Sequence, residues 1–161
     1  MATFEKATDR AAEDRVAQFL EDRWRVKVGA YGPKSPIDRY LTRMVDGERK
    51  VAAIIEIKCR SHAVDHPGYP TLYLSLQKYL NLWQAGWLAQ VPAFYVARFT
   101  DEIRYINIEQ IEPGDVWIKG RRPRAGSAND QEPMIEVDKL HLLEVPVEVS
   151  EMIGLEGWGK S

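Results

Sequence analysis

A single cysteine, Cys59, occurs in 161 residues, which excludes an intramolecular disulfide framework and suits a reducing compartment. No apolar run approaches the roughly 20 residues that a membrane-spanning helix needs, and the opening Met1–Lys6 lacks the apolar core of a signal peptide. Neither sign of charge is in excess. Twenty-two Lys and Arg stand against 24 Asp and Glu, a net charge of −2, so no global field draws the chain to nucleic acid and any such contact must come from a local basic patch. Internal repeats and low-complexity tracts are also missing. These absences predict a soluble, cytoplasmic protein with no membrane partner. With 45% hydrophobic residues at this length, one domain spanning 1–161 can bury a sizeable core.

Thr8 is placed to cap a helix running to about Arg23, with Ala12, Val16, Phe19 and Leu20 along one apolar stripe. Strands are predicted over 24–31 and 37–45, separated by Gly32-Pro33-Lys34-Ser35-Pro36, and a hairpin turn at Asp46-Gly47-Glu48 leads to a third strand over 51–59. That third strand is nearly all apolar, as expected of a central strand covered on both faces. A loop over 60–71 precedes a second helix, on which Leu72, Leu76, Leu80, Trp83 and Trp87 recur at helical spacing up to Pro92. Trp83 and Trp87 read there as core residues. Further strands are predicted over 93–99 and 103–108, with a short one at 116–118. The domain then divides into a core of about 8–118, a flexible basic loop over 119–133 and a C-terminal extension, 134–161, which from Met134 is apolar enough to pack back.

The informative stretch is Ile54-Ile55-Glu56-Ile57-Lys58, a carboxylate and an ammonium ending a run that should be buried. Strand side chains alternate faces, so Glu56 and Lys58 point the same way, roughly 6 to 7 Å apart at the backbone. Burying either charge without a partner is expensive, which demands a metal, a mutual ion pair or a wet cleft. A three-residue turn at 46–48 would pair Val45 with Arg49 and bring Asp38 opposite Glu56, about 5 Å apart at Cβ. A slip of one residue would turn Asp38 to the other face. Two carboxylates that close repel each other, and a hard divalent cation such as Mg²⁺ or Mn²⁺ resolves the repulsion. Lys58 beside that ion could orient an attacking water or stabilise charge building on a phosphate. Glu13 lies at the border of the first helix's buried stripe, within reach of the same cleft.

The order helix with Glu13, strand with Pro36-Ile37-Asp38, hairpin, Glu56-Ile57-Lys58, helix resembles the core of the PD-(D/E)XK nuclease superfamily over roughly residues 8–110, in particular its phage exonuclease and resolvase branches. The resemblance implies a restriction-endonuclease-like α/β fold, a central mixed β-sheet flanked by α-helices, and Mg²⁺- or Mn²⁺-dependent hydrolysis of DNA. It further implies that Asp38, Glu56, the backbone carbonyl of Ile57 and Glu13 serve the metal and that Lys58 is the catalytic lysine. A residue of the following helix often assists, and Gln77 and Lys78 are the candidates here. Asp38 is followed by Arg39-Tyr40, where the superfamily continues with apolar residues. The partner implied is DNA, and a homo-oligomer is compatible with the resemblance.

Plainer readings exist for each feature. Glu56 and Lys58 could form an edge-strand ion pair of little energetic weight, Asp38 after a proline could be a turn former, and Glu13 could be a solvated helix residue. Cys59, His62 and His66 lack a suitably spaced fourth ligand for zinc. Lys119, Arg121, Arg122 and Arg124 form the densest basic cluster, either a solvated loop or a set of contacts to backbone phosphates. A rival from another class is a catalytically inactive nuclease-fold protein that binds nucleic acid or serves assembly in a phage or mobile element. A protein whose acids hold a structural metal is a third.

Overall fold

The computed structural model describes residues 7–32, 35–111, 118–120 and 133–145. Helix α1 runs Ala7–Trp24, its buried face formed by Ala12, Val16, Ala17 and Leu20. Arg25, in the left-handed region at φ 53°, ends it. Strands β1 (Lys27–Ala30), β2 (Arg39–Val45) and β3 (Glu48–Cys59) form an antiparallel meander. β3 then pairs in parallel with β5 (Ala93–Arg98), to which β6 (Ile103–Asn107) is antiparallel. The parallel pair requires a crossover, supplied by helix α2 (Leu76–Ala89). β9 (Leu143–Val145) closes the far edge, giving a six-stranded mixed sheet in the order β1-β2-β3-β5-β6-β9.

Helices cover both faces of this sheet, which is why β3 reads as continuously apolar. Ala53, Ile55 and Ile57 pack with Val16, Ala17 and Leu20 of α1. Ile54 and Tyr95 pack with Leu82 of α2 on the reverse face. α2 approaches β5 closely at Gly86, where a Cβ would stand 2.9 Å from the carbonyl oxygen of Val91.

The structure corrects three of the expectations. Residues 71–75, read as the entry into the second helix, form strand β4, whose Leu72 and Leu74 are buried while Tyr73 between them is exposed. β4 pairs with β8 (Pro133–Asp138), which pairs with β7 (Ile118–Gly120), making a second, three-stranded sheet. The segment 119–133 is therefore not loop throughout, since Lys119 and Gly120 pair with Met134 and Pro133; residues 134–145 pack back as expected, with Met134, Ile135, Val137, Leu142 and Val145 buried. Finally, Trp83 and Trp87 are not core. They are 45% and 59% exposed, beside exposed Leu80 and Leu88, because the face of α2 that docks on the sheet carries Leu82 and Gly86. No helix among the described residues is long and apolar enough to cross a membrane.

Candidate active site

The β2–β3 turn has two residues, Asp46 and Gly47, both at positive φ, the backbone of the favoured hairpin turns. Val45 consequently pairs with Glu48, not Arg49. Carried straight along the ladder, that shorter turn would place Asp38 across from Ile55. A β-bulge prevents this: Thr42 pairs with Val51 and Leu41 with Ala53, so Ala52 is the extra residue. Beyond the bulge Arg39 pairs with Ile55, and one step further Asp38 lies across from Glu56, as the three-residue turn had required.

Glu56 is completely buried on the face that α2 covers, and neither carboxylate oxygen accepts a hydrogen bond. Three cationic contacts surround the acid pair. Lys58 Nζ is 3.6 Å from Glu56 Oε1, and Lys78 Nζ is 3.4 Å from the same oxygen and 3.9 Å from Asp38 Oδ1. Burial pushes the Glu56 carboxyl above its ordinary pKa; Lys58 and Lys78 oppose the rise, and the neighbouring Asp38 adds to it, by its charge and by the hydrogen bond the two acids share once one of them is protonated. For Lys58 burial favours the neutral amine, but Glu56, then Glu13, Tyr95 and Asp38, outweigh it and the net shift is upward. Lys58 thus remains a cation at neutral pH, with its side chain 38% exposed at the mouth of the site.

Lys78 owes its place to the start of α2. Ser75 adopts an extended backbone and its Oγ accepts from the Lys78 amide at 3.0 Å, a helix N-cap. Gln77, the other candidate on this helix, donates to Asn81 Oδ1 at 2.9 Å, while Asn81 Nδ2 donates to the carbonyl of Pro36 at 3.3 Å. This chain ties α2 to the segment carrying Asp38.

The carbonyl of Ile57 is also available. The amides of Ile54 and Arg60 bond towards β5, to Pro92 and Arg98, so by strand alternation Ile57 directs its backbone groups towards β2. The β2 ladder ends at Arg39, and the next amide in line, that of Ile37, donates instead to Ser35 Oγ at 3.2 Å. The donor set is then two carboxylates and a carbonyl oxygen, hard ligands suited to Mg²⁺ or Mn²⁺. The bare, buried Glu56 oxygens fit such an ion.

Glu13 is placed differently. It is 4% exposed on α1, which packs on the reverse face of β3, and its Oε2 lies 3.8 Å from Nη2 of Arg39. The same Arg39 atom is 2.9 Å from Asp14 Oδ1. Arg39, alternating with Asp38, points beneath α1, which accounts for a buried arginine where an apolar residue was expected. Among the described residues no three His, Cys, Asp or Glu side chains converge as a metal cluster. The charge of Glu13 contributes to the upward shift of Lys58.

Arg60 was missed from the sequence, although it continues the period of two after Glu56 and Lys58. Its Nη2 donates to Tyr95 Oη at 2.9 Å and to the carbonyl of Tyr73 at 3.2 Å, linking the end of β3 to β4 and β5. His62 stacks on Tyr69 with centroids 4.2 Å apart, and His66 Nδ1 accepts from the Gly68 amide at 3.0 Å. Of the basic cluster, Lys119 lies on β7, while Arg121, Arg122 and Arg124 fall outside the described residues.

A mixed sheet between two helices, with an Asp, a Glu-x-Lys and a crossover helix at one point of the central strand, defines a restriction-endonuclease-like nuclease fold. The chain belongs to the family described as "Phage putative PDDEXK endonuclease", whose profile matches residues 1–144. Among solved structures it is similar to D212, a nuclease from a fusselovirus, at 14% identity and a TM-score of 0.50, covering 96% of this chain and 94% of that one. It is also similar to Hjc, a Holliday junction resolvase from Archaeoglobus fulgidus, at 16% identity and a TM-score of 0.47, covering 80% and 94%. A search of curated proteins finds no match.

Proposed function

We propose that the protein hydrolyses DNA phosphodiester bonds with Mg²⁺ or Mn²⁺ at the Asp38–Glu56 pair. One observation carries this reading: a wholly buried glutamate whose two oxygens accept no hydrogen bond, beside a second carboxylate and two lysines. Folding does not favour such a charge, so its presence points to a ligand that supplies the missing bonds. Asp38, Glu56 and the Ile57 carbonyl would hold the ion, which when bound contributes Lewis-acid activation and neutralises charge at the phosphate.

The chain's own groups do the rest. Lys58 holds its proton because of the surrounding acids and places a positive charge where the attacked phosphate gains negative charge. Its exposed ammonium also donates a hydrogen bond to orient the attacking water. Glu13 reinforces the Lys58 cation from the α1 side of the sheet. Asn81 and Gln77 hold the Asp38 segment against α2, so that the two carboxylates keep their separation. Lys119, Arg121, Arg122 and Arg124 supply backbone phosphate contacts, the local patch that a net charge of −2 makes necessary.

The test is calorimetric titration with Mn²⁺, followed by incubation with linear, circular, nicked and branched DNA with and without EDTA. Metal-dependent cleavage is expected. Cleavage undiminished by excess EDTA would refute the mechanism, and DNA binding without cleavage would favour the inactive assembly protein.

A further inference from the structure

Lys58 contacts one acid of the pair, but Lys78 contacts both. Its Nζ lies 3.4 Å from Glu56 Oε1 and 3.9 Å from Asp38 Oδ1, and among the described residues it is the one side-chain cation in ion-pair range of the two carboxylates. An ammonium between two acids that close relieves their repulsion. It does so without saturating them, since both distances exceed the 2.7–2.9 Å typical of a charge-assisted hydrogen bond and both Glu56 oxygens remain without one. A divalent ion bonding oxygen directly at about 2.0–2.1 Å has the advantage over such a contact.

The two ends of Lys78 are held differently. Its backbone amide is fixed by the Ser75 cap, whereas its side chain is 34% exposed on a flexible four-carbon stem. The root is anchored and the charged tip has a path to water.

We propose that Lys78 is a displaceable occupant of the acid pair: its ammonium bridges Asp38 and Glu56 in the metal-free protein and swings out to solvent when the divalent ion enters. This rests on the metal reading above and adds a role for α2 in loading, because metal binding becomes an exchange of one cation for another. Three consequences follow. The pair stays neutralised before loading, the ion binds more weakly than the bare acids would allow, and the released ammonium is left at the mouth, where a backbone phosphate would meet it. Lys78 is thus a positioning residue and not a metal ligand.

The full chain can be tested by brief amine acylation, read by mass spectrometry with and without saturating Mn²⁺. Lys78 labelling should rise several-fold on metal binding, while the exposed Lys50 stays constant. In parallel, Lys78→Met should bind Mn²⁺ about tenfold more tightly, within the usual span of coupling between sites, whereas Lys58→Met, which loosens one acid only, should change affinity less. Lys78 labelling that falls or stays level while the parent binds Mn²⁺ would overturn the exchange and leave the metal site standing. So would a Lys78→Met variant that binds no more tightly than the parent. Binding of Mn²⁺ by neither protein would overturn the exchange and the metal reading together.

Discussion

Replacing Glu56 with glutamine should stabilise the metal-free protein while destroying its site. The side chain keeps its size, so packing is preserved and the change is one of charge. Ionised Glu56 is fully buried and accepts no hydrogen bond, a condition that costs about 1–3 kcal/mol for a polar group and more for a charge. Lys58 and Lys78 return part of this from 3.6 and 3.4 Å, but both are about a third exposed and screened by water. A net gain of about 2 kcal/mol for Glu56→Gln is the reasonable expectation, and the two lysines, freed of a partner, can turn to solvent. For a chain of this size about 2–4 °C of Tm accompanies each kcal/mol, so the rise should be about 4–8 °C.

The pH dependence has a definite sign. Burial raises the folded-state pKa of Glu56 above its ordinary 4.5, so within that window the folded protein binds the extra proton that the unfolded chain has lost. Stability contributed by this group is therefore greatest in acid and is lost as pH rises through the raised pKa. Thermal denaturation in EDTA should show Glu56→Gln well above the parent at pH 8 and close to it near pH 4. Saturating Mn²⁺ should invert the order at pH 8, since ligand binding adds about 2.7 kcal/mol at one hundred times Kd and only the parent retains both acids. A Glu56→Gln Tm equal to or below the parent's in EDTA at pH 8 would refute the reasoning, because Glu56 would then be an ordinary satisfied ion pair.

Other substitutions probe separate links. Lys58→Met should leave Mn²⁺ binding intact and slow the chemical step about 10²–10³-fold; equal single-turnover rates would make the lysine structural. Deleting Ala52, the extra residue, straightens the ladder while leaving Arg39 across from Ile55 and Asp38 across from Glu56, so Mn²⁺ binding by calorimetry should persist, and its loss would show that the site needs the bend of the bulge as well as the register. Gly86→Ala forces a Cβ against the Val91 carbonyl and should cost about 1–3 kcal/mol in urea denaturation despite alanine's better helix propensity; an unchanged midpoint would mean that α2 sits more loosely on β5. Replacing Lys119, Arg121, Arg122 and Arg124 together with alanine should flatten the salt dependence of DNA binding by roughly 0.9 per lost phosphate contact, and an unchanged slope would return them to a solvated loop.

Local pattern by itself determined the existence of α1, the meander, the buried central strand and the Glu56-x-Lys58 face, because periods of 2 and 3.6 are written residue by residue. It also placed Asp38 opposite Glu56, although by a route the fold does not take. The turn is one residue shorter than its Asp-Gly-Glu letters suggested, and the bulge at Ala52 restores the residue. Each departure alone would have moved Asp38 to the wrong face.

Other features were decided only in three dimensions. Leu72 fits a helix stripe with Leu76 as readily as a strand face with Leu74, and pairing with β8, more than 60 residues away in sequence, selected the strand. α2 therefore begins after the Ser75 cap, and it docks through the face of Leu82 and Gly86, which leaves Trp83 and Trp87 outward and Lys78 beside the two acids. Glu13 had the helical phase of a buried residue and is buried, but which face of the sheet α1 covers depends on how the chain packs, and there Arg39 meets it. Periodicity determines which side of an element is apolar. What that side meets, and therefore which charges end up together, depends on contacts between distant segments that no local pattern records.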